Sequence, residues 1–189
     1  MIKKIRNYNA GMTYVELIVV LSIFSIMTSI VLLDYNKFQA KVDIKVLAND
    51  IALKIVEAQK SAIAGKWNTD ISDPDWKPSY GIYFDATAPS EFIYFANIDN
   101  NNYYDSSSDS ILDSITILKG NSISGLEAVG CPEVTDLSIV FRRPNSGALI
   151  TSNGFSLSSC ISYARITITS PQSPSANIRV YPSGRIQIN

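Results

Sequence analysis

The chain has 189 residues, of which 46% are apolar, a formal net charge of −1, and no histidine. Lack of histidine removes the commonest general base and metal ligand, and with it the Ser-His-Asp, Cys-His and zinc-protease constellations. The length accommodates one apolar anchor plus one domain of about 125 residues, large enough for a real core.

Met1 to Ala10 form a short basic leader carrying Lys3, Lys4 and Arg6. Gly11-Met12-Thr13-Tyr14-Val15-Glu16-Leu17 follows, and the run from Leu17 to Leu33 is apolar and uncharged. Met12 to Leu33 is 22 residues, and at ~1.5 Å per residue a helix of that length spans a hydrocarbon core of ~30 Å. Glu16 interrupts the apolar stretch near its start. A lone charge at the centre of a membrane helix costs roughly 2.5–3.5 kcal/mol, so its presence implies a role. An ordinary secretory signal places its small-residue cleavage junction after the apolar segment. Here the small-residue junction, Ala10-Gly11, precedes it, so cleavage there removes the leader and leaves the helix on the mature chain.

No Pro or Gly occurs from Met12 to Ala64, which predicts one helix continuing past the apolar run. From Asp34 the pattern becomes amphipathic: Ile44, Leu47, Ile51, Ile55, Ala58 and Ala62 step by three and four on one face. Lys37, Lys41, Lys45, Lys54 and Lys60 alternate with Asp43, Asp50 and Glu57 around the rest. Gly65 is the expected stop. Such a helix has about 50 residues and is ~80 Å long, and its stripe needs a partner surface.

That surface is predicted to be β-structure. Tyr80–Asp85 and Phe92–Ile98 read as strands around a Thr87-Ala88-Pro89-Ser90 turn. Ile115–Leu118, Val134–Arg142, Tyr163–Thr169, Ile178–Tyr181 and Arg185–Ile188 read likewise, and Ser170–Ala176 reads as a connection. The expected class is α+β, a long N-terminal helix packed on antiparallel sheet.

Cys131 and Cys160 are the only cysteines, and both lie in the part that would be exported, where disulfides persist. A Cys131–Cys160 bond is expected, against the alternative of two buried thiols. It would close a loop of ~30 residues, worth roughly 3–4 kcal/mol. Charge divides along the chain: residues 34–113 carry 7 basic and 13 acidic groups, and residues 114–189 carry 6 and 3.

Three sets of residues invite a chemical reading. Asp99, Asn101, Asp105 and Asp109, with Asp113 to close the shell, offer oxygen ligands at spacings like those of calcium loops. Tyr104 stands where an EF-hand needs Gly, and Asn and Asp also build turns with their own backbone; both readings stay open. Arg142, Arg143, Arg165, Arg179 and Arg185, with Tyr163 and Tyr181 nearby, could hold a phosphate backbone such as that of DNA, or could be solvated strand ends. Asp73 and Asp75 form a carboxylate pair without a complementary partner, so an enzyme is not expected.

The opening residues resemble a known family. Gly-Met-Thr-Tyr-Val-Glu-Leu, with its basic leader and apolar run in register, resembles the class III signal of type IV pilins and pseudopilins. Glu57-Ala-Gln-Lys-Ser-Ala-Ile-Ala-Gly-Lys66 resembles the helix end of the GspH/FimT family of pseudopilins and minor pilins, with Gln59 where that family often has Arg. Phe95-Ala-Asn-Ile-Asp99-Asn-Asn-Asn-Tyr-Tyr-Asp105 through Leu112, Ile139-Val-Phe141, Gly147 and Val180-Tyr-Pro-Ser-Gly184-Arg185-Ile-Gln are similar to later pieces of the same family, in the same order.

The resemblance implies a pilin-like division: leader 1–11, membrane and filament-core helix 12–33, amphipathic continuation 34–65, and β-rich head 66–189. It implies cleavage between Gly11 and Met12 by a prepilin peptidase, N-methylation of Met12, and pairing of Glu16 with the N-terminal amine of a neighbouring subunit. The implied protein is a non-enzymatic minor pilin or pseudopilin of a type IV pilus or a type II secretion pseudopilus. Its partners would be other pilins or pseudopilins, the inner-membrane assembly platform and, before assembly, membrane lipid. It would sit in the cytoplasmic (inner) membrane as a single-pass protein with its C-terminal domain exported, and then in the filament. Family members that serve DNA uptake carry a terminal Gly-Arg-x-Arg; Gly184-Arg185-Ile186-Gln187 keeps the first Arg and lacks the second. A DNA-binding minor pilin for transformation is therefore the alternative within this class, and a single-pass sensor or enzyme the alternative outside it.

Overall fold

The computed structural model describes residues 11–66 and 77–189. The basic leader before Gly11 and the Asp73/Asp75 pair lie outside the described residues. The first helix, α1, runs Tyr14–Ala64 over 51 residues. It starts there because Thr13 caps it: the Glu16 N–H donates to Thr13 Oγ1 at 3.3 Å, and the Leu17 N–H to the Thr13 carbonyl at 3.1 Å. It stops at Gly65, where φ is +58°. The Gly65 N–H reaches the Ala62 carbonyl and the Lys66 N–H the Ser61 carbonyl, the paired bonds of a Schellman motif. Tyr80 adds a tertiary tie, its hydroxyl donating to the Lys66 carbonyl at 2.7 Å.

The chain divides into two compact units, one reaching Gln39 and one spanning Ala40–Asn189. In the first, the helix is apolar on every side and exposed throughout, from Val15 to Leu32. In the second, α1 is amphipathic and packs on two antiparallel sheets. Its buried face is Ile44, Ala48, Ile51, Ile55, Ala58 and Ala62. The sequence stripe is corrected at one position: Ala48 lies at the centre of that face, and Leu47 is only partly covered beside it. A small residue there permits close approach of helix and sheet.

Among the described residues ten strands follow: β1 Ser79–Asp85, β2 Glu91–Asn97, β3 Ser110–Thr116, β4 Ser122–Val129, β5 Asp136–Phe141, β6 Ala148–Ser152, β7 Phe155–Ser156, β8 Tyr163–Thr169, β9 Ser175–Val180 and β10 Ile186–Ile188. They form a six-stranded sheet in the order β3-β2-β1-β5-β6-β7 and a four-stranded sheet in the order β10-β9-β8-β4. Every pairing is antiparallel. The α+β class expected from the pattern is the one observed. Inward side chains of both sheets (Tyr80, Ile82 and Phe84 on β1, Ile166 and Ile168 on β8) join the helix face in one apolar cluster.

Several strand boundaries differ from the sequence reading. Of the Ile115–Leu118 run only Ile115 and Thr116 belong to a strand, the end of β3, which begins at Ser110, and the connection after β8 ends sooner because β9 starts at Ser175, with Ala176 already paired to Ile168. Strands β4, β6 and β7 were not anticipated. β4 reads Ser-Ile-Ser-Gly-Leu-Glu-Ala-Val, and its alternation is broken by a bulge between Ile123 and Gly125.

Candidate functional site

At the N-terminal end, Gly11, Met12 and Thr13 precede the helix in irregular, exposed backbone. A Cβ built on Gly11 would meet nothing within 4 Å. Glu16 lies in the first turn, where the partial positive charge of the unpaired N–H groups favours a carboxylate. Further along, the Ser22 hydroxyl donates to the Val19 carbonyl and the Thr28 hydroxyl to the Phe24 carbonyl, both at 2.8 Å. These two polar side chains of the apolar run are thus satisfied by the helix itself, as hydrocarbon surroundings require. By length and composition α1 is able to cross a membrane.

The acidic loop folds over the outer face of the six-stranded sheet. Asp99 accepts from the Asn101 backbone at 3.2 Å and from its side-chain amide at 2.7 Å. Asp105 caps its own turn, accepting from the Ser107 N–H at 2.9 Å and hydroxyl at 2.8 Å. These bonds hold its carboxyl below the ordinary range. Asp109 accepts from the N–H groups of Ile98 (3.0 Å) and Asp105 (2.9 Å), and burial nonetheless raises its carboxyl. Asn101 Oδ1 accepts from the Tyr103 N–H and from the buried Asn97 amide, both at 3.0 Å. Tyr104 closes the lid, its ring centroid 4.8 Å from Tyr83 and 5.1 Å from Phe95. Asp113 stands apart on β3, paired with Lys54 at 3.2 Å. The five proposed calcium ligands are therefore not drawn into one shell, and among the described residues no group of three or more acidic or cysteine side chains is placed to hold a metal.

The five arginines separate into two groups. Arg142 and Arg143 lie on the turn after β5. Asn100, with its amide oxygen turned toward Arg142, accepts from both terminal nitrogens at 2.8 and 3.1 Å, and the Arg143 guanidinium lies against Gly65 at the helix end. Arg165, Arg179 and Arg185 gather on the outer face of the four-stranded sheet. Strand alternation puts Ala164, Ile166, Ile178 and Val180 inward and Tyr163, Arg165 and Arg179 outward. Register then lines up Glu127, Arg165, Arg179 and Gln187 in one row across four strands.

Two guanidinium groups directly opposite one another repel, and the face offsets this in three ways. Arg165 makes an ion pair with Glu127 at 2.8 Å and donates to the Tyr163 hydroxyl at 3.0 Å. The Tyr163 ring lies 5.7 Å from Arg165 and 5.2 Å from Arg179, close enough for cation–π attraction. Tyr163 in turn packs on Tyr181 with centroids 5.4 Å apart, and Arg185 covers the Tyr181 ring at 4.0 Å. The result is a ladder in which two adjacent rings are flanked by guanidinium groups. Glu127, which neutralises one end of it, was missed because β4 was.

Two further elements position this face. Gln59 on α1 donates to the carbonyls of Ser146 (2.7 Å) and Gly184 (3.2 Å), fastening the turn between β9 and β10 to the helix. Cys131 and Cys160 are disulfide-bonded with Cα atoms 5.1 Å apart. The bond joins the end of β4 to the loop before β8, next to the Ser162 N–H to Val129 carbonyl bond at 2.7 Å. Compared with family models, characterised proteins and solved structures, the chain has no match.

Proposed function

We propose that this chain is a structural subunit of a secreted filament, a minor pilin or pseudopilin that is processed at Gly11–Met12 and assembled through α1. The observation carrying this reading is the arrangement at the helix start. A Gly-Met bond lies exposed in irregular backbone, one residue before the capping Thr13, and a single carboxylate follows in the first turn of a helix apolar on every side. A protease needs extended, accessible backbone, and a helix beginning just beyond the scissile bond offers it. After cleavage the Met12 ammonium would be the unpaired cation in apolar surroundings, and Glu16 of a neighbouring subunit its counter-ion. In this reading the protein is a single-pass membrane protein until assembly, with residues 40–189 on the exported side, and it catalyses nothing.

Mass spectrometry of the membrane fraction tests the processing step: the expected chain begins at methylated Met12. A chain retaining Lys3 and Lys4, or one that has lost Leu17–Leu33, refutes it. Glu16→Val tests assembly. Membrane insertion should persist, because a charge leaves the apolar segment, whereas recovery in sheared filaments should fall at least about tenfold, the effect of losing ~1.4 kcal/mol of pairing. Unchanged recovery in filaments removes Glu16 from the assembly contact.

A further inference from the structure

Within residues 40–189 two surfaces of opposite character share no residue. The first is a groove of about 430 Å³ between α1 and the end of β3. Its apolar rims are Val46 and Leu53 on the helix and Leu118 beyond the strand, 52%, 64% and 71% exposed. Its lining carries three carboxylates, Asp43, Asp50 and Glu57, which recur every seven residues along α1, and two lysines, Lys54 and Lys119. The two lysines are already engaged, Lys119 with Asp43 at 2.8 Å, and Lys54 with Asp113 and Glu57 at 3.2 Å each. Pairing is mutual, so Asp43 and Glu57 are engaged as well and Asp50 is left as the lining carboxylate without a lysine; an occupant that brings apolar or aromatic surface together with a cation complements this groove. The second surface is the ladder of Tyr163, Tyr181, Arg179 and Arg185, which presents aromatic rings covered by guanidinium groups and carries no lysine.

We infer that the acidic groove of one copy receives the tyrosine–arginine face of a second copy. Arginine suits this pairing because its planar group stacks on a ring while its N–H fork meets carboxylates. The two surfaces differ, so the contact is heterologous and each copy keeps one groove and one face free. Such contacts propagate head to tail rather than closing on a two-fold axis.

Photo-crosslinking of the full-length chain in detergent micelles tests the contact. Leu118 is replaced by p-benzoylphenylalanine, and normal and heavy-isotope copies are mixed at low salt. The expected adduct joins a light chain to a heavy one, at peptides containing Tyr163, Arg179 or Arg185. Arg179→Glu with Arg185→Glu in the unlabelled partner should reduce it about tenfold or more, since like charges then face each other. Asp50→Arg with Glu57→Arg in the crosslinking copy should restore it. Adducts confined to single chains, adducts mapping to other surfaces, or a yield indifferent to the Arg reversals would each overturn the inference. Retention of duplex DNA by the face in the absence of any adduct would assign it to nucleic acid instead and overturn the inference as well. The readout involves neither cleavage at Gly11 nor Glu16, so it succeeds or fails independently of the proposed function.

Discussion

Tyr80 and Tyr83 sit on opposite faces of β1, and burial pushes each phenol from its ordinary 10.0 up to about 12. Nearby Tyr94 adds to the effect at Tyr80, and Asp85 and Asp136 add to it at Tyr83. A group whose folded value is raised contributes stability that is complete below its unfolded value and is lost as pH climbs through the folded one. The contribution of these two phenols should accordingly be constant up to about pH 10 and be lost between about 10 and 12. An ultraviolet alkaline titration should show late-ionising tyrosines whose ionisation coincides with loss of far-ultraviolet ellipticity; every tyrosine titrating near 10 in a still-folded protein contradicts this. Gly184 makes a second claim at this scale. Its φ is +82°, and a Cβ there would strike the Ser146 carbonyl and lie 2.6 Å from the Gln59 amide. Gly184→Ala should cost about 1–2 kcal/mol in backbone strain alone, with more from the clash, whereas Ser183→Ala on the exposed turn should be near neutral. Equal melting temperatures for the two variants would show that this turn is not clamped.

At the scale of elements, the Cys131–Cys160 bond anchors β4, the edge strand carrying Glu127, to the loop entering β8. β4 is weakened by its Gly125 bulge, so a covalent tie at its end restrains the pairing most in need of it. Reduction, or Cys131→Ser with Cys160→Ser, should lower stability by roughly 3–4 kcal/mol, the chain-entropy value for a loop of this length, and should expose β4 amides to hydrogen exchange before those of β1 or β5. No free thiol should react in the denatured, unreduced protein. The helix shows the same dependence on tertiary contacts. Its capping Thr13 and its Gly65 stop are local, but the face between them is stabilised by both sheets.

For the whole molecule, charge placement limits what the arginine face can bind. Arg165 is already neutralised by Glu127, and Arg142 and Arg143 belong to another turn. At most Arg179 and Arg185 remain for a phosphate backbone. If duplex DNA binds the full chain in detergent, it should bind weakly, with a log–log salt slope no steeper than about −1.8, or −0.9 per phosphate neutralised. Arg179→Gln with Arg185→Gln should flatten that slope toward zero. A much steeper slope would mean that further cations converge on DNA and that the face has been drawn too small.

What the sequence determined by itself is what depends on near neighbours along the chain. The stop at Gly65, the apolar run, the amphipathic stripe and strands as regular as Tyr163–Thr169 follow from capping, periodicity and the alternation of side chains. Cysteine pairing was legible too, because only two cysteines exist. Tertiary structure alone decided the rest. β4 is bulged and rich in small residues, β6 is only five residues long, and both become strands because β8 and β5 offer them unpaired edges. Asp99, Asp105 and Asp109 look like metal ligands in the sequence but cap turns and backbone N–H groups, because the loop must cover Phe95 and Tyr83. Arg165 and Arg179 are fourteen positions apart in the chain and adjacent across a strand pair, a proximity set by hairpin register. Register is a long-range property: it emerges only when the inward side chains of both sheets meet the same helix face.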